Sequence, residues 1–266
     1  MASKKERLDV LLVQKGFFSS REKAKASIMA GEVYVDGKKI EKAGEFVNID
    51  SSIEVKINSL PYVSRGGLKL QKAIETFNIN VTGKIALDIG ASTGGFTDCL
   101  LKHGALKVYA VDVGYGQLDW NLRNDPRVIN MEKTNIRFLE ILPEIVDMIT
   151  IDVSFISLEL VIPSADKFLK SEGDLIALIK PQFEAGREKV GKKGVVRDPA
   201  VHREVIEKIV ILLQKFNYSI IGITYSPIKG AEGNIEYLIY GKKVIEKQHN
   251  FDITKIVEEA FKNLNK

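Results

Sequence analysis

The sequence predicts an α/β protein: a mainly parallel seven-stranded sheet whose last strand runs antiparallel, with a small α+β unit ahead of it. Three observations predict it. From residue 64 onward, short apolar runs alternate with helical stretches, the pattern of a parallel sheet covered on both faces. The last two runs, 219–225 and 235–240, are joined by only nine residues, "SPIKGAEGN". That is too short for a crossover helix, so these two strands pair antiparallel. Before residue 57 the pattern differs: two short amphipathic helices are followed by alternating runs around Asp36-Gly37.

In residues 1–56, "RLDVLLVQKG" places Leu8, Leu11 and Leu12 on one helical face, and Gly16 ends the helix. "SSREKAKASIMAG" starts on a serine cap, turns Ala24, Ile28 and Met29 inward and stops at Gly31. "EVYVDGKKI" reads as a hairpin about Asp36-Gly37, and "EFVNIDSSIEVK" supplies further strands. Arg7, Lys15, Arg21, Lys23 and Lys25 gather near the two helices, which alone is the pattern of a solvated face. Residues 57–63, "INSLPYV", read as a linker because Pro61 interrupts the preceding strand. Residues 64–245 form the second domain. It opens with a helix over "SRGGLKLQKAIETF", with Leu70, Ile74 and Phe77 as its buried stripe. Strands follow at 84–89, 107–113, 127–131, 146–153, 174–180, 219–225 and 235–240. Residues 246–266 make a peripheral helix with Ile256, Val257, Ala260, Phe261 and Leu264 apolar.

Composition narrows the function classes. At 45% hydrophobic and 28% charged, the chain has the make-up of an ordinary globular protein, and a net charge of +4 does not by itself demand nucleic acid. The single cysteine, Cys99, excludes an internal disulfide and reads as core packing. His103, His202 and His249 lack metal-ligand spacing, so no metal is expected. The opening "MASKKERLDVLLVQKG" has no apolar signal-peptide core, and no run approaches the roughly 20 residues that cross a bilayer. A cytoplasmic location without a membrane partner is expected.

"LDIGASTGGFTDCL" (87–100) joins a strand end to a helix start through a glycine turn that suits a nucleotide-like cofactor. It lacks the Gly-Lys-Ser/Thr of a phosphate-binding loop, and Ser92 stands where the dinucleotide fingerprint needs its second glycine. Asp112, at the end of the next strand, suits a ribose hydroxyl pair. Asp88 would repel a pyrophosphate and attract the ammonium of S-adenosylmethionine (SAM), the attraction or repulsion being about 4 kcal/mol at ion-pair distance and an effective dielectric near 20. The expected cofactor is therefore SAM, held by Asp88, Gly90, Ser92, Thr93, Gly94, Gly95, Phe96 and Asp112. Gly94 and Gly95 would let the backbone approach it closely.

Asp152 and Lys180 finish the fourth and fifth strands, at the carboxyl edge where ligands gather in open α/β sheets. Glu236 opens an otherwise apolar strand, and Lys69 lies on the helix before the first strand. The stretches "YVSRGGLKL", "LDIGASTGGFTDCLL", "AVDVGYGQLDWNLR", "IDVSFISL", "LIKPQFEAGR" and "GNIEYLIY" together resemble the TlyA family, the hemolysin-named, FtsJ-like rRNA 2′-O-methyltransferases. The resemblance covers nearly the whole chain. It implies a Rossmann-like SAM-dependent methyltransferase sheet, a catalytic tetrad on Lys69, Asp152, Lys180 and Glu236, and an acceptor hydroxyl on a cytidine ribose. Ribosomal RNA or ribosomal subunits are the implied partners, and Thr134 and Asn135 are placed at the adenine. Residues 5–50 likewise resemble the S-four RNA-binding domain, with Arg7, Ser20, Arg21 and Lys25 as implied contacts.

The tetrad suits the chemistry. A ribose hydroxyl is a poor nucleophile at neutral pH, and its proton must leave as it attacks the sulfonium methyl. Lys180 either accepts that proton or, as a cation, stabilises the developing alkoxide. Residues 180–197 carry six basic and two acidic side chains, which suits a phosphate backbone. Arg65, Phe183, Arg187, Lys189, Lys192 and Lys193 are the expected RNA contacts of this domain, with Phe183 either stacking on a base or packing in the core. Trp120 reads as cover for the cofactor or the core. The rival readings are a pore-forming hemolysin, a non-catalytic RNA-binding or ribosome-assembly protein, and a small-molecule O-methyltransferase.

Overall fold

The computed structural model describes residues 5–18, 20–29, 31–55, 61–244 and 250–265. Residues 57–60 of the expected linker, 246–249 of the expected last segment, and His249 with them lie outside the described residues. The chain divides into two compact units, Met1–Leu60 and Pro61–Lys266.

In the first unit, β1 (Lys5–Arg7) leads into α1 (Leu8–Gln14) and α2 (Arg21–Met29). β2 (Val33–Val35), β3 (Lys38–Ile40), β4 (Phe46–Asn48) and β5 (Ile53–Val55) follow. β1 pairs antiparallel with β4, and β2 lies between β3 and β5. The β2–β3 turn has both Asp36 (φ +50°) and Gly37 (φ +75°) in the left-handed region, as a two-residue hairpin turn requires. Leu8, Leu11, Leu12, Ala24 and Ile28 fill the core with Val33, Val35 and Val47. Met29 does not join them. It is 71% exposed, because the inward stripe of α2 is Ala24 and Ile28, four apart, and the next residue turns about 100° off that face. β1, which the sequence does not announce, is too short to show an alternation.

The second unit is built in the order α3 (Gly66–Phe77), β6 (Ile85–Ile89), α4 (Gly95–Lys102), β7 (Lys107–Val111), α5 (Trp120–Arg123), β8 (Val128–Met131), β9 (Val146–Ile151) and α6 (Leu158–Asp166). It continues through β10 (Leu169–Ile179), α7 (Pro181–Glu184), α8 (Pro199–Lys215), β11 (Ser219–Tyr225), β12 (Tyr237–Lys242) and α9 (Ile253–Leu264). The seven strands lie in the order β11-β12-β10-β9-β6-β7-β8. β12 runs antiparallel to both of its neighbours, and the pairs from β10 to β8 are parallel. β10 begins five residues before its expected start, across a register shift between Leu169 and Asp174. The polar "KSEG" inside that irregularity hides the extension from a hydrophobicity reading.

Apolar side chains cover both sheet faces. Leu87, Ile89, Ile149 and Ile151 pack on one side, and Ala86, Val108, Met148 and Leu178 on the other. Cys99 is buried in α4. His202 is also fully buried: it donates from Nε2 to the Val196 carbonyl at 2.9 Å and accepts at Nδ1 from the Tyr237 hydroxyl at 2.8 Å. Burial lowers its pKa, which keeps it neutral and fits this donor–acceptor pair. Among the described residues no helix is long and apolar enough to cross a membrane.

Candidate active site

The topology alone brings four charged residues to one edge. Asp112, Asp152 and Lys180 each follow directly on a parallel strand (β7, β9 and β10), so they emerge at its carboxyl end. Glu236 immediately precedes β12. Because β12 is antiparallel, its beginning lies at that same edge, with Tyr237 opposite Ile179 of β10. Lys69 comes from the first turn of α3. That helix can press against α4 because glycines meet there: a Cβ on Gly95 would come within 3.1 Å of the Gly66 Cα and 2.9 Å of the Gly67 nitrogen.

Lys69, Asp152, Lys180 and Glu236 line one hollow of about 440 Å³. They are arranged as two ion pairs. Lys69 Nζ lies 2.6 Å from Glu236 Oε2, with both residues buried, and Lys180 Nζ lies 2.6 Å from Asp152 Oδ1. Lys180 also donates to Ser154 Oγ at 3.0 Å. Burial of charge is tolerable here because each charge meets its opposite at hydrogen-bond distance. Gly230 makes room for this arrangement, since a Cβ there would fall on the Glu236 carboxylate.

A second hollow of about 550 Å³ adjoins the first, and the two share Gly90, Ser92, Asp152, Ser154 and Phe155. Asp112, Gln117, Thr134 and Asn135 line it with apolar Val111, Val113, Ile136 and Val161. Asp112 Oδ2 accepts from the Ser92 amide and Oδ1 from the Gly114 amide, each at 2.7 Å. These bonds tie the glycine turn to the loop after β7 and leave each oxygen a second lone pair for a diol. Gly90, with φ +84°, sits where a Cβ would meet the Asp152 carbonyl, so this turn requires glycine for both conformation and space. A half-apolar, half-polar hollow with a carboxylate at one end fits an adenosine. Among the described residues there is no group of three or more His, Cys, Asp and Glu placed to hold a metal ion.

Several expected site residues stand elsewhere. Asp88 is fully buried beneath the turn and lines neither hollow; its two oxygens accept from Thr97 Oγ1 at 2.7 Å and Thr150 Oγ1 at 2.9 Å. Desolvation pushes its pKa up to about 7, against the lowering by the two hydroxyls, and the Asp152 charge adds to the rise. It supports the turn from below instead of facing an ammonium. Gly94 leaves space for Leu118 and Leu122, and Gly95 for Ser64 and the start of α3, so packing alone requires a small residue at both. Thr93, Gly95 and Phe96 line the first hollow, not the second. Trp120 is 73% exposed and covers neither hollow.

Among the expected RNA contacts, Arg65 and Phe183 line the first hollow. Arg187 lines an outer groove with Arg137, Phe155 and Phe183. Lys189, Lys192 and Lys193 line a separate basic hollow with Arg197, and Lys189 is paired with Glu204. In the first unit, Arg7 and Arg21 converge on Asp9, whose side chain is fully buried, at 3.0 and 2.9 Å. The Arg7 hydrogen bond, with Arg21 adding, holds the Asp9 carboxyl well below the usual carboxylate range despite burial. Ser20 caps α2 through the Lys23 amide, and Lys25 is half-buried.

Sequence reasoning missed three contributors. Ser154 and Phe155 sit where the hollows meet, and Phe155 is 90% exposed at φ +64° with its ring 5.1 Å from Phe183. Their place directly after Asp152 was the available signal. Glu132 accepts from the Gln117 amide at 3.0 Å and from Arg123 at 2.7 Å; the Arg123 bond, with the backbone amides adding, lowers its pKa to about 2. It fastens the loop beside Asp112.

Comparison with known proteins identifies the family of each part of the chain. A family described as FtsJ-like methyltransferase matches residues 62–243, and the S4 domain matches residues 6–53. A Bacillus subtilis protein provisionally named the rRNA methyltransferase YqxC is 50% identical, covering 99% of this chain and 97% of its own. The Mycobacterium tuberculosis 16S/23S rRNA (cytidine-2′-O)-methyltransferase TlyA is 42% identical over 90% of each chain. A solved Streptococcus thermophilus structure, provisionally named a hemolysin, superposes with a TM-score of 0.78 at 44% identity, covering 99% of this chain and 98% of that one. A family model over residues 62–243 and relatives 42% and 50% identical over at least 90% of the chain place it plainly: the chain belongs to the FtsJ-like methyltransferase family.

Proposed function

We propose that this enzyme transfers a methyl group from SAM to the 2′-hydroxyl of a cytidine in ribosomal RNA. The observation that carries the reading is the two ion pairs, the buried Lys69–Glu236 and the half-buried Lys180–Asp152, in a hollow that adjoins the one lined by Asp112. The cytidine and the rRNA come from the TlyA relative, whose name gives both.

When bound, SAM supplies an electrophilic methyl on a sulfonium that leaves as a neutral thioether. Asp112 is the group for its ribose diol, and Thr134 and Asn135 flank the adenine end of that hollow. In the adjoining hollow, Lys180 addresses the acceptor oxygen. Its ammonium donates to Asp152 and Ser154 in the resting enzyme, and a third N–H remains for the hydroxyl oxygen. In this arrangement Lys180 enters as donor and stabiliser of the developing negative charge. The acceptor hydroxyl would release its proton to bulk water as it takes the methyl that SAM would supply, while Lys180 steadies the oxygen. Lys69 and Glu236 close the other side of the hollow and add no net charge to it.

The N-terminal domain (residues 1–56) and the basic loop of the second domain hold the RNA. Arg7, Ser20, Arg21 and Lys25 supply the first grip, and Arg65, Phe183, Arg187, Lys189, Lys192 and Lys193 the second. Phosphate contacts of this kind position a substrate without reading its sequence. Methyl transfer from labelled SAM to rRNA and to isolated ribosomal subunits, with nucleoside mass spectrometry of the product, tests the reading. Expected is 2′-O-methylcytidine, formed by wild-type protein and lost on Lys180→Ala. A protein that binds SAM and labels none of these substrates would refute it.

A further inference from the structure

We infer that Ser154 is a positioning residue for the transfer, acting through Lys180 at the point where the two hollows meet. The inference rests on the methyltransferase reading of the cleft and adds to it a residue outside the tetrad.

Three facts converge on this side chain. Ser154 Oγ accepts from Lys180 Nζ at 3.0 Å, while Asp152 Oδ1 takes the same ammonium at 2.6 Å. Both residues follow β9, two positions apart, and Lys180 follows the neighbouring parallel strand β10. Ser154 is exposed and lines both hollows, as Asp152 does. The methyl group has to cross that junction, since one hollow fits the donor and the other holds the tetrad. Finally, Phe155 has φ +64°, a conformation rare for a bulky residue, so the chain makes a sharp turn directly after Ser154. Strain of this kind persists where the surroundings over-determine it.

The physical need is directional. An ammonium on a four-carbon stem that is held by one carboxylate swings around that contact. A second acceptor removes this freedom and leaves one N–H direction for the acceptor oxygen. A serine hydroxyl does so without a second negative charge, which would oppose the charge developing on the nucleophile. A hydrogen bond to a charged group that orients a reacting side chain is worth about 10-fold in rate or more when lost.

The test compares Ser154→Ala and Ser154→Thr with wild type in full-length protein, using labelled SAM and the rRNA or subunit that wild type methylates. The alanine variant is expected to lose kcat by about 10-fold or more, with KM for SAM and for RNA within about twofold of wild type. Threonine keeps the hydroxyl on an exposed residue and is expected to restore kcat to within about threefold. Full kcat for Ser154→Ala would overturn the inference, as would a loss confined to KM or one that threonine does not rescue. Those outcomes leave the methyltransferase reading standing. Wild type that methylates no RNA overturns that reading and this inference with it.

Discussion

Glu236→Leu separates what the buried pair does for stability from what it does for transfer. At 2.6 Å and an effective dielectric near 20, Lys69 and Glu236 attract by about 6 kcal/mol. Much of that offsets the cost of drying two charges, since Lys69 is 9% and Glu236 2% exposed. Removing the carboxylate strands the Lys69 ammonium, and breaking one side of such a pair costs about 3 kcal/mol. For a unit of roughly two hundred residues, that lowers the melting temperature by about 6–12 °C. Adding Lys69→Met removes the stranded charge. Two apolar side chains of similar volume then occupy the site, and stability returns to within about 1 kcal/mol of wild type. Activity does not return, because both variants lack a charged pair facing the acceptor hollow; transfer falls by about 100-fold or more in each. Thermal unfolding and a labelled-methyl assay on the two proteins are sufficient. A single variant within about 0.5 kcal/mol of wild type would show that the pair is not buried as described. A double variant with wild-type turnover would remove Lys69 and Glu236 from the catalytic machinery.

Three further expectations follow from the same contacts. Gly230→Ala places a Cβ on the Glu236 carboxylate and should reduce kcat by about 10-fold at a stability cost of about 1–3 kcal/mol, read from turnover and melting together. Asp88 has its pKa raised to about 7, so its contribution to stability is present below about pH 4, its unfolded value, and is lost as pH rises through about 7. Asp88→Asn should flatten that slope and stabilise the protein at pH 8 by up to about 4 kcal/mol, measured by denaturant unfolding at pH 5 and pH 8. Asp9 is the opposite case. Its lowered pKa contributes stability above about pH 4 that is lost as pH falls, and Asp9→Asn should weaken the first unit by about 2 kcal/mol, seen as faster amide exchange in α1.

What the sequence discloses, and what it hides, follows from the range of the interactions involved. The tetrad is legible because three of its members sit at strand ends, where topology alone decides the edge, and an antiparallel last strand returns Glu236 to that edge. Which lysine pairs with which acid is not legible. Lys69 and Glu236 are 167 positions apart and meet only because α3 packs near the start of β12. Asp88 shows the harder limit. In a sheet covered on both faces, Leu87, Asp88 and Ile89 are all buried, so alternation no longer tells which side chain faces the cleft and which faces a helix. A charge attraction between Asp88 and the ammonium of SAM requires the carboxylate to reach the cleft. The structure instead gives Asp88 to Thr97 and Thr150 and leaves Asp152, on the next strand, as the carboxylate common to both hollows. SAM bound across that junction would meet a negative charge from the residue that also holds Lys180. Donor and acceptor would then share one carboxylate, and a substitution at Asp152 should weaken SAM binding and turnover together, where one at Glu236 lowers turnover and stability and leaves SAM binding unchanged.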